Sequence, residues 1–248
     1  MTIETVQELQ NLKHIGKIVA QIIQAMGRAL RPDITTGELD ELGGKLLQQH
    51  GATSAPKLTY DFPGYTCISV NEEAAHGVPG DRVINAGDLV NIDVSAEKNG
   101  FFADSGYTFL VEPIDEGNRR LCRYAQQALD EAMTVAKAGK RLNLIGKRIT
   151  QVARKAGYKT LKDLGSHGIG KSLHDEPEFI ANYYDSNDRR LLQEGQVITI
   201  EPFLSTQAQL TYRADDGWTL LTPAGNRSAQ FEHTMVITND KPIILTAA

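Results

Sequence analysis

Four acidic residues stand where acids are scarce, inside segments that alternate like β-strands. Leu89–Gly106, LVNIDVSAEKNGFFADSG, alternates apolar and polar residues around Asn99-Gly100, a turn signal, and so predicts a hairpin. Asp93 and Asp104 lie within its strands, although Asp gains little from packing on a pleated surface. A loop centred near Lys98-Asn99 would set the two nearly opposite each other. The same oddity recurs twice. In QVITIEPFL the alternation puts Val197, Thr199 and Glu201 on one face, and in AQFEHTMVIT it puts Gln230, Glu232 and Thr234 on one face. Taken singly, acids on the solvated face of an antiparallel sheet are ordinary. Taken together they call for a counter-charge, because carboxylates facing one another across a strand pair repel. A divalent cation is the strongest compact one.

Six histidines are available. His14 and His50 fall on helical segments, and His233 points away from Glu232 along its strand. His76, His167 and His174 fall in turn-rich segments, EAAHGVPGD and GSHGIGKSLHDEP, where function concentrates more than packing does. Asp93, Asp104, His167, Glu201 and Glu232 would make five ligands, mostly carboxylate. That set is hard in character and suits Mn, Fe, Co or Zn with water; four carboxylates suit two ions with shared ligands.

The elements that must position these groups can be read from periodicity. Val6, Leu9, Leu12, Ile15, Val19, Ile22 and Ile23 form a helical stripe over 4–29. A second helix starts near Thr36 and Glu38 and stops by Gly51. After a stretch rich in Pro, Gly and aromatics at 55–66, short β segments follow, including TCISVN and the hairpin. Helices return at 116–137 and 142–156, followed by the loop 165–174 and three β runs. The order helix, helix, β, β occurs twice, in halves of roughly 1–112 and 113–248. It predicts an α+β layout, with an antiparallel sheet and helices on one face. No Ser-, Gly- or Pro-rich linker divides the halves, so residues 1–248 read as one domain.

Composition narrows the function. A 41% hydrophobic, 23% charged chain of 248 residues is ordinary for a globular protein. A formal charge of −5 argues against nucleic-acid binding. No apolar run has the length of a membrane span, and the N-terminal segment lacks the apolar core of a signal peptide. Cys67 and Cys122 form neither a disulfide framework nor a CxxC site, which fits a reducing, cytoplasmic setting.

The segments VNIDVSAEKNGFFADSG, SHGIGKSLHDEP, ITIEPF and AQFEHT, in this order and spacing, resemble type I methionine aminopeptidases of the pita-bread metallopeptidase family. The resemblance runs over essentially the whole chain. It implies a pita-bread fold, with pseudo-twofold related halves and helices on the outer face. It also implies removal of the initiator methionine from nascent proteins, at the ribosome, when the second residue is small. Two divalent ions are implied, with Asp93 on one, Asp104 and Glu232 bridging, and His167 and Glu201 on the other. His76 and His174 would contact the scissile amide and the developing intermediate, and Glu201 is the candidate acceptor of the water's proton. The methionine pocket is expected near Tyr60, Phe62, Cys67 and Trp218, and the protein is expected to act as a monomer. Ser166, where the family has Gly, Leu173, where an aromatic is common, and the stretch 55–66 depart from the pattern. Only 33 residues separate His167 from Glu201, too few for the helical insertion of type II enzymes. No zinc-finger extension is expected, nor a preceding domain of the Xaa-Pro peptidase kind. A non-enzymatic binding module on the same fold would be expected to have lost ligands, and all five are here.

Overall fold

In the computed structural model, which describes residues 1–247, two pairs of long helices each precede a set of antiparallel strands. Val6–Ala29 (α1) and Thr36–Gln49 (α2) lead into Thr53–Ser54 (β1), Ala55–Tyr60 (α3), Cys67–Val70 (β2), Glu73–Ala75 (β3), Leu89–Lys98 (β4) and Phe101–Leu110 (β5). Glu116–Val135 (α4) and Asn143–Ala156 (α5) lead into Lys159–Thr160 (β6), Gly165–Gly168 (β7), Asp175–Ala181 (β8), Val197–Ile200 (β9) and Phe203–Ser205 (β10). Tyr212–Arg213 (β11), Leu220–Leu221 (β12), Ser228–Gln230 (β13), His233–Val236 (β14) and Ile243–Ile244 (β15) complete the chain.

The two N-terminal helices begin where side chains satisfy their free backbone donors. Thr5 with Glu8, and Thr35 with Glu38, form capping boxes at the starts of α1 and α2. From α1, Leu12, Ile15, Val19, Ile22 and Ile23 enter the core, each worth about 1.5–3 kcal/mol when fully buried. Val6, the first helical residue, is 73% exposed, because the stripe reaches the sheet only after one turn. Opposite α1, Val90, Ile92, Val94 and Ala96 of β4 are completely buried in the same core. With a side-chain period of two, Asn91, Asp93 and Ser95 must then face away from the helices. A second core joins Leu121, Leu129, Ile145 and Ile149 of α4 and α5 to Ile198, Ile200, Leu204 and Met235.

In the first half, β5 pairs along β4, which also pairs with β2 and β1. In the second, a five-stranded sheet runs β15-β14-β9-β7-β8. The halves are joined at their inner edges. The Glu232 amide donates to the Gly106 carbonyl at 2.9 Å, and Tyr107 bridges Phe231. Thr108 Oγ1 donates to the Gln230 carbonyl at 2.7 Å.

Three expectations change. Asp93 pairs with Gly106, and Asp104 with Ser95, so the two aspartates are diagonal neighbours on one face, not directly opposite. The cause is the turn: Asn99 and Gly100 both take positive φ, 56° and 76°, so Lys98 pairs with Phe101 in a two-residue hairpin. QVITIEPFL and AQFEHTMVIT are each broken in two, at Glu201-Pro202 and at Phe231-Glu232. Proline has no N–H to give a ladder, so β9 ends before it. His167 lies on strand β7 and not in a turn.

Candidate metal centre

Each of the five proposed ligands is placed by a different piece of backbone. Asp93 comes from β4 and Asp104 from its partner β5. Ser95 Oγ donates to Asp104 Oδ1 at 2.7 Å, and Thr234 Oγ1 both accepts from the Asp104 amide and donates to its carbonyl. Glu232 sits in the gap between β13 and β14, its carbonyl accepting from Ser105 Oγ at 2.6 Å. Glu201 follows β9, and its amide donates to Ser166 Oγ at 2.9 Å. The His167 amide donates to Thr199 Oγ1 at 3.1 Å.

The result is four carboxyl groups and one imidazole in one place. Ligand atoms of Asp104, His167 and Glu232 all lie within 4.8 Å of one another. His167 Nε2 is 3.5 Å from Glu201 Oε1 and 3.9 Å from Asp104 Oδ2. Asp93 joins through Asp104, whose carboxyl is close enough to share a proton with it. Burial, then the charges of neighbouring acids, holds Asp93, Glu201 and Glu232 well above the usual carboxylate range; burial raises Asp104 as well. No Lys or Arg pairs with any of the four among the described residues.

The donor set fits a divalent cation on its own chemistry. His167 Nδ1 is 2.8 Å from the Gly168 carbonyl, which only accepts, so the proton is on Nδ1. Burial lowers the pKa of His167 to about 4, keeping the ring neutral. Nε2 therefore presents a lone pair to carboxylate oxygens that also carry only lone pairs when ionised. Glu232 Oε1 is buried with no hydrogen-bond partner. A cation placed among these atoms resolves both conflicts.

The cluster opens into a cavity of about 220 Å³ lined by Asp93, Asp104, His167 and Glu201, by His76 and His174, and by Tyr60, Phe62, Cys67 and Trp218. Phe62 is buried and meets Trp218 edge to face, ring centres 5.3 Å apart. Cys67 pairs with Asp93 across the sheet, and burial pushes its thiol well up. His76 follows β3 with φ of +55°, a left-handed conformation uncommon outside glycine though histidine adopts it more readily than most, and its ring makes no hydrogen bond among the described residues. His174 stacks toward His167 at 4.2 Å between ring centres. A larger cavity, about 470 Å³, lies against α5, but its lining contains no acid and no histidine.

Comparison with known proteins agrees with this geometry. The sequence profile of metallopeptidase family M24 matches residues 10–239. This chain belongs to that family. Among curated M24 relatives it is 49% identical over 247 residues to methionine aminopeptidase 2 of Bacillus subtilis, covering 99% of each chain. The crystal structure of methionine aminopeptidase from Thermotoga maritima superimposes with a TM-score of 0.95 at 32% identity, over the whole of both chains. The fold is therefore the pita-bread fold. Prolidase from Pyrococcus furiosus shares the fold alone, at TM-score 0.78 and 24% identity, and the present chain covers 66% of it.

Behind the acids of this M24 chain stands a layer that strand periodicity did not single out as functional. Gln230 Nε2 donates to Glu232 Oε2 at 2.9 Å, and Asn91 Nδ2 donates to Gln230 Oε1 at 2.8 Å. Ser166 holds the Glu201 backbone. The only signal for Asn91 and Gln230 is that each shares a face with an acid. Gly106 makes room for this layer, since a Cβ there would stand 2.1 Å from Gln230 Oε1. Gly106→Ala is expected to displace an amide that two hydrogen bonds hold. The cost is about 1–3 kcal/mol of stability, with weaker binding of divalent metal in calorimetric titration.

Proposed function

We propose that this chain is a methionine aminopeptidase, removing the N-terminal methionine of nascent polypeptides when the second residue is small. Residues 1–248 act as one catalytic unit, because neither half holds all five ligands. We assign Asp93 to one ion, Asp104 and Glu232 to bridging positions, and His167 and Glu201 to a second ion. The oxygen-rich set suits Co, Mn, Fe or Zn. Bound divalent ions would supply a nucleophilic water at neutral pH and polarise the scissile carbonyl. Glu201 would accept the water's proton, His76 and His174 would contact the scissile amide and the developing intermediate, and the acidic site would recognise the free α-amine. The protein works as a monomer in the cytoplasm, meeting its substrates at the ribosome.

The observation that carries the reading is the union, in one cavity of about 220 Å³, of four of the five ligands, Asp93, Asp104, His167 and Glu201, with a wall of Phe62, Cys67, Leu173 and Trp218. An unbranched thioether fills such a wall well and contacts aromatic edges favourably. Peptides of the form Met-Ala-Ser are expected to be cleaved about tenfold or more faster than Leu-Ala-Ser, the range open to an apolar pocket that discriminates by shape. Competition between the two peptides, followed by mass spectrometry, measures the ratio. Equal rates, or a requirement for proline in second position, would contradict the assignment and favour an Xaa-Pro peptidase.

A further inference from the structure

Tyr60 does more than line the cavity. It ends α3, a short helix, and reaches across to the other half of the chain. Its hydroxyl lies 2.6 Å from His174 Nδ1, with the ring centres 5.6 Å apart. Both ends of this contact are anchored. Ser54 caps α3 through the Lys57 amide and donates to the Tyr65 carbonyl at 2.7 Å. Ser172 Oγ donates to the His174 carbonyl at 2.7 Å.

A neutral imidazole has one N–H, and whichever nitrogen carries it decides what the other offers. Were Nδ1 the donor to the phenol oxygen, Nε2 would offer a lone pair to a cavity already lined by carboxylate lone pairs, with Asp104 near enough for its charge to act on this ring. With the phenol as donor, Nδ1 accepts and Nε2–H is left to donate. The hydroxyl has no other partner among the described residues. We infer that Tyr60 is a positioning residue whose hydroxyl donates to His174 Nδ1 and so holds His174 as an Nε2–H donor toward the substrate. The inference rests on the aminopeptidase reading for its catalytic consequence, but not for the hydrogen bond itself.

Tyr60→Phe tests it, because the ring stays and only the hydroxyl goes. In zinc-loaded protein carrying ¹⁵N-histidine, the His174 spectrum is expected to show a protonated Nε2 and a hydrogen-bonded Nδ1. In Tyr60→Phe the Nδ1 resonance is expected to move to that of a free acceptor, with an unchanged unfolding midpoint. For Met-Ala-Ser, kcat is expected to fall about three- to tenfold, the value of one neutral hydrogen bond, with KM within about twofold. A protonated Nδ1 in the wild type, or an Nδ1 resonance indifferent to the substitution, overturns the inference. So does an unchanged kcat, or a loss confined to KM, which would make Tyr60 a wall residue only. Failure of the wild type to cleave any Met peptide, with the resonances as expected, would count against the aminopeptidase reading and leave the hydrogen bond standing.

Discussion

Glu232→Ala is expected to abolish peptide hydrolysis, and chelation of the wild type is expected to do the same. In the proposed site Glu232 would be shared by two ions, so its loss would remove several kcal/mol of barrier lowering, about 10³-fold or more in rate. A surface substitution such as Glu116→Ala, at the exposed start of α4, serves as the control. Stability gives an independent readout. Asp93, Asp104, Glu201 and Glu232 all have pKa values raised in the metal-free fold. A raised acid favours the fold while it is protonated. That contribution is complete below the unfolded-chain value of about 4 and is lost as pH rises through the folded values. Metal-free protein is therefore expected to melt at a lower temperature at pH 8 than at pH 5.5. Saturating Co, Mn or Zn should raise the midpoint more at pH 8, because ligands bind deprotonated. Scanning fluorimetry over this range measures both slopes; a metal-free midpoint that climbs with pH would show that these acids are not crowded together. Full activity without metal would remove the two-ion reading.

His76→Ala is expected to lower kcat by about 10²–10³, or roughly 3–4 kcal/mol of barrier, with metal binding intact. His76 shares the cavity with the ligand cluster but belongs to none of its short contacts, and its ring is left free to reach a substrate. Its positive φ adds a complication, since alanine is strained there too. Asparagine tolerates the left-handed region, so His76→Asn separates loss of the ring from backbone strain. His174→Ala is expected to behave like His76→Ala with a smaller loss, whereas His167→Ala should weaken metal binding itself. Calorimetric titration of the three alanine variants, beside steady-state kinetics, distinguishes the roles. A His76→Ala protein that loses metal as His167→Ala does would make His76 a ligand instead.

Much of this molecule was legible in the chain, because local patterns carry local physics. Helical spacing marked α1, α4 and α5, and alternation put Asn91, Asp93 and Ser95 on one face of β4. The misfit between acid and strand was enough to pick out Asp93, Asp104, Glu201 and Glu232, since burying such groups is costly unless something compensates. What local pattern does not carry is the choice of partner across more than a hundred residues. The diagonal register of the aspartates depended on the geometry of one two-residue turn. Only the docking of β5 against the β13–β14 gap sets Glu232 beside Asp104, and only close packing explains the need for Gly106. The proton on His167 Nδ1 follows from a carbonyl 2.8 Å away, and the hydroxyl of Tyr60 meets His174 from 114 residues off in sequence. Residue type and spacing thus determined which chemistry this protein can hold. The tertiary structure decided the orientation of each donor and lone pair, because hydrogen bonds are directional and their partners come from separate parts of the chain.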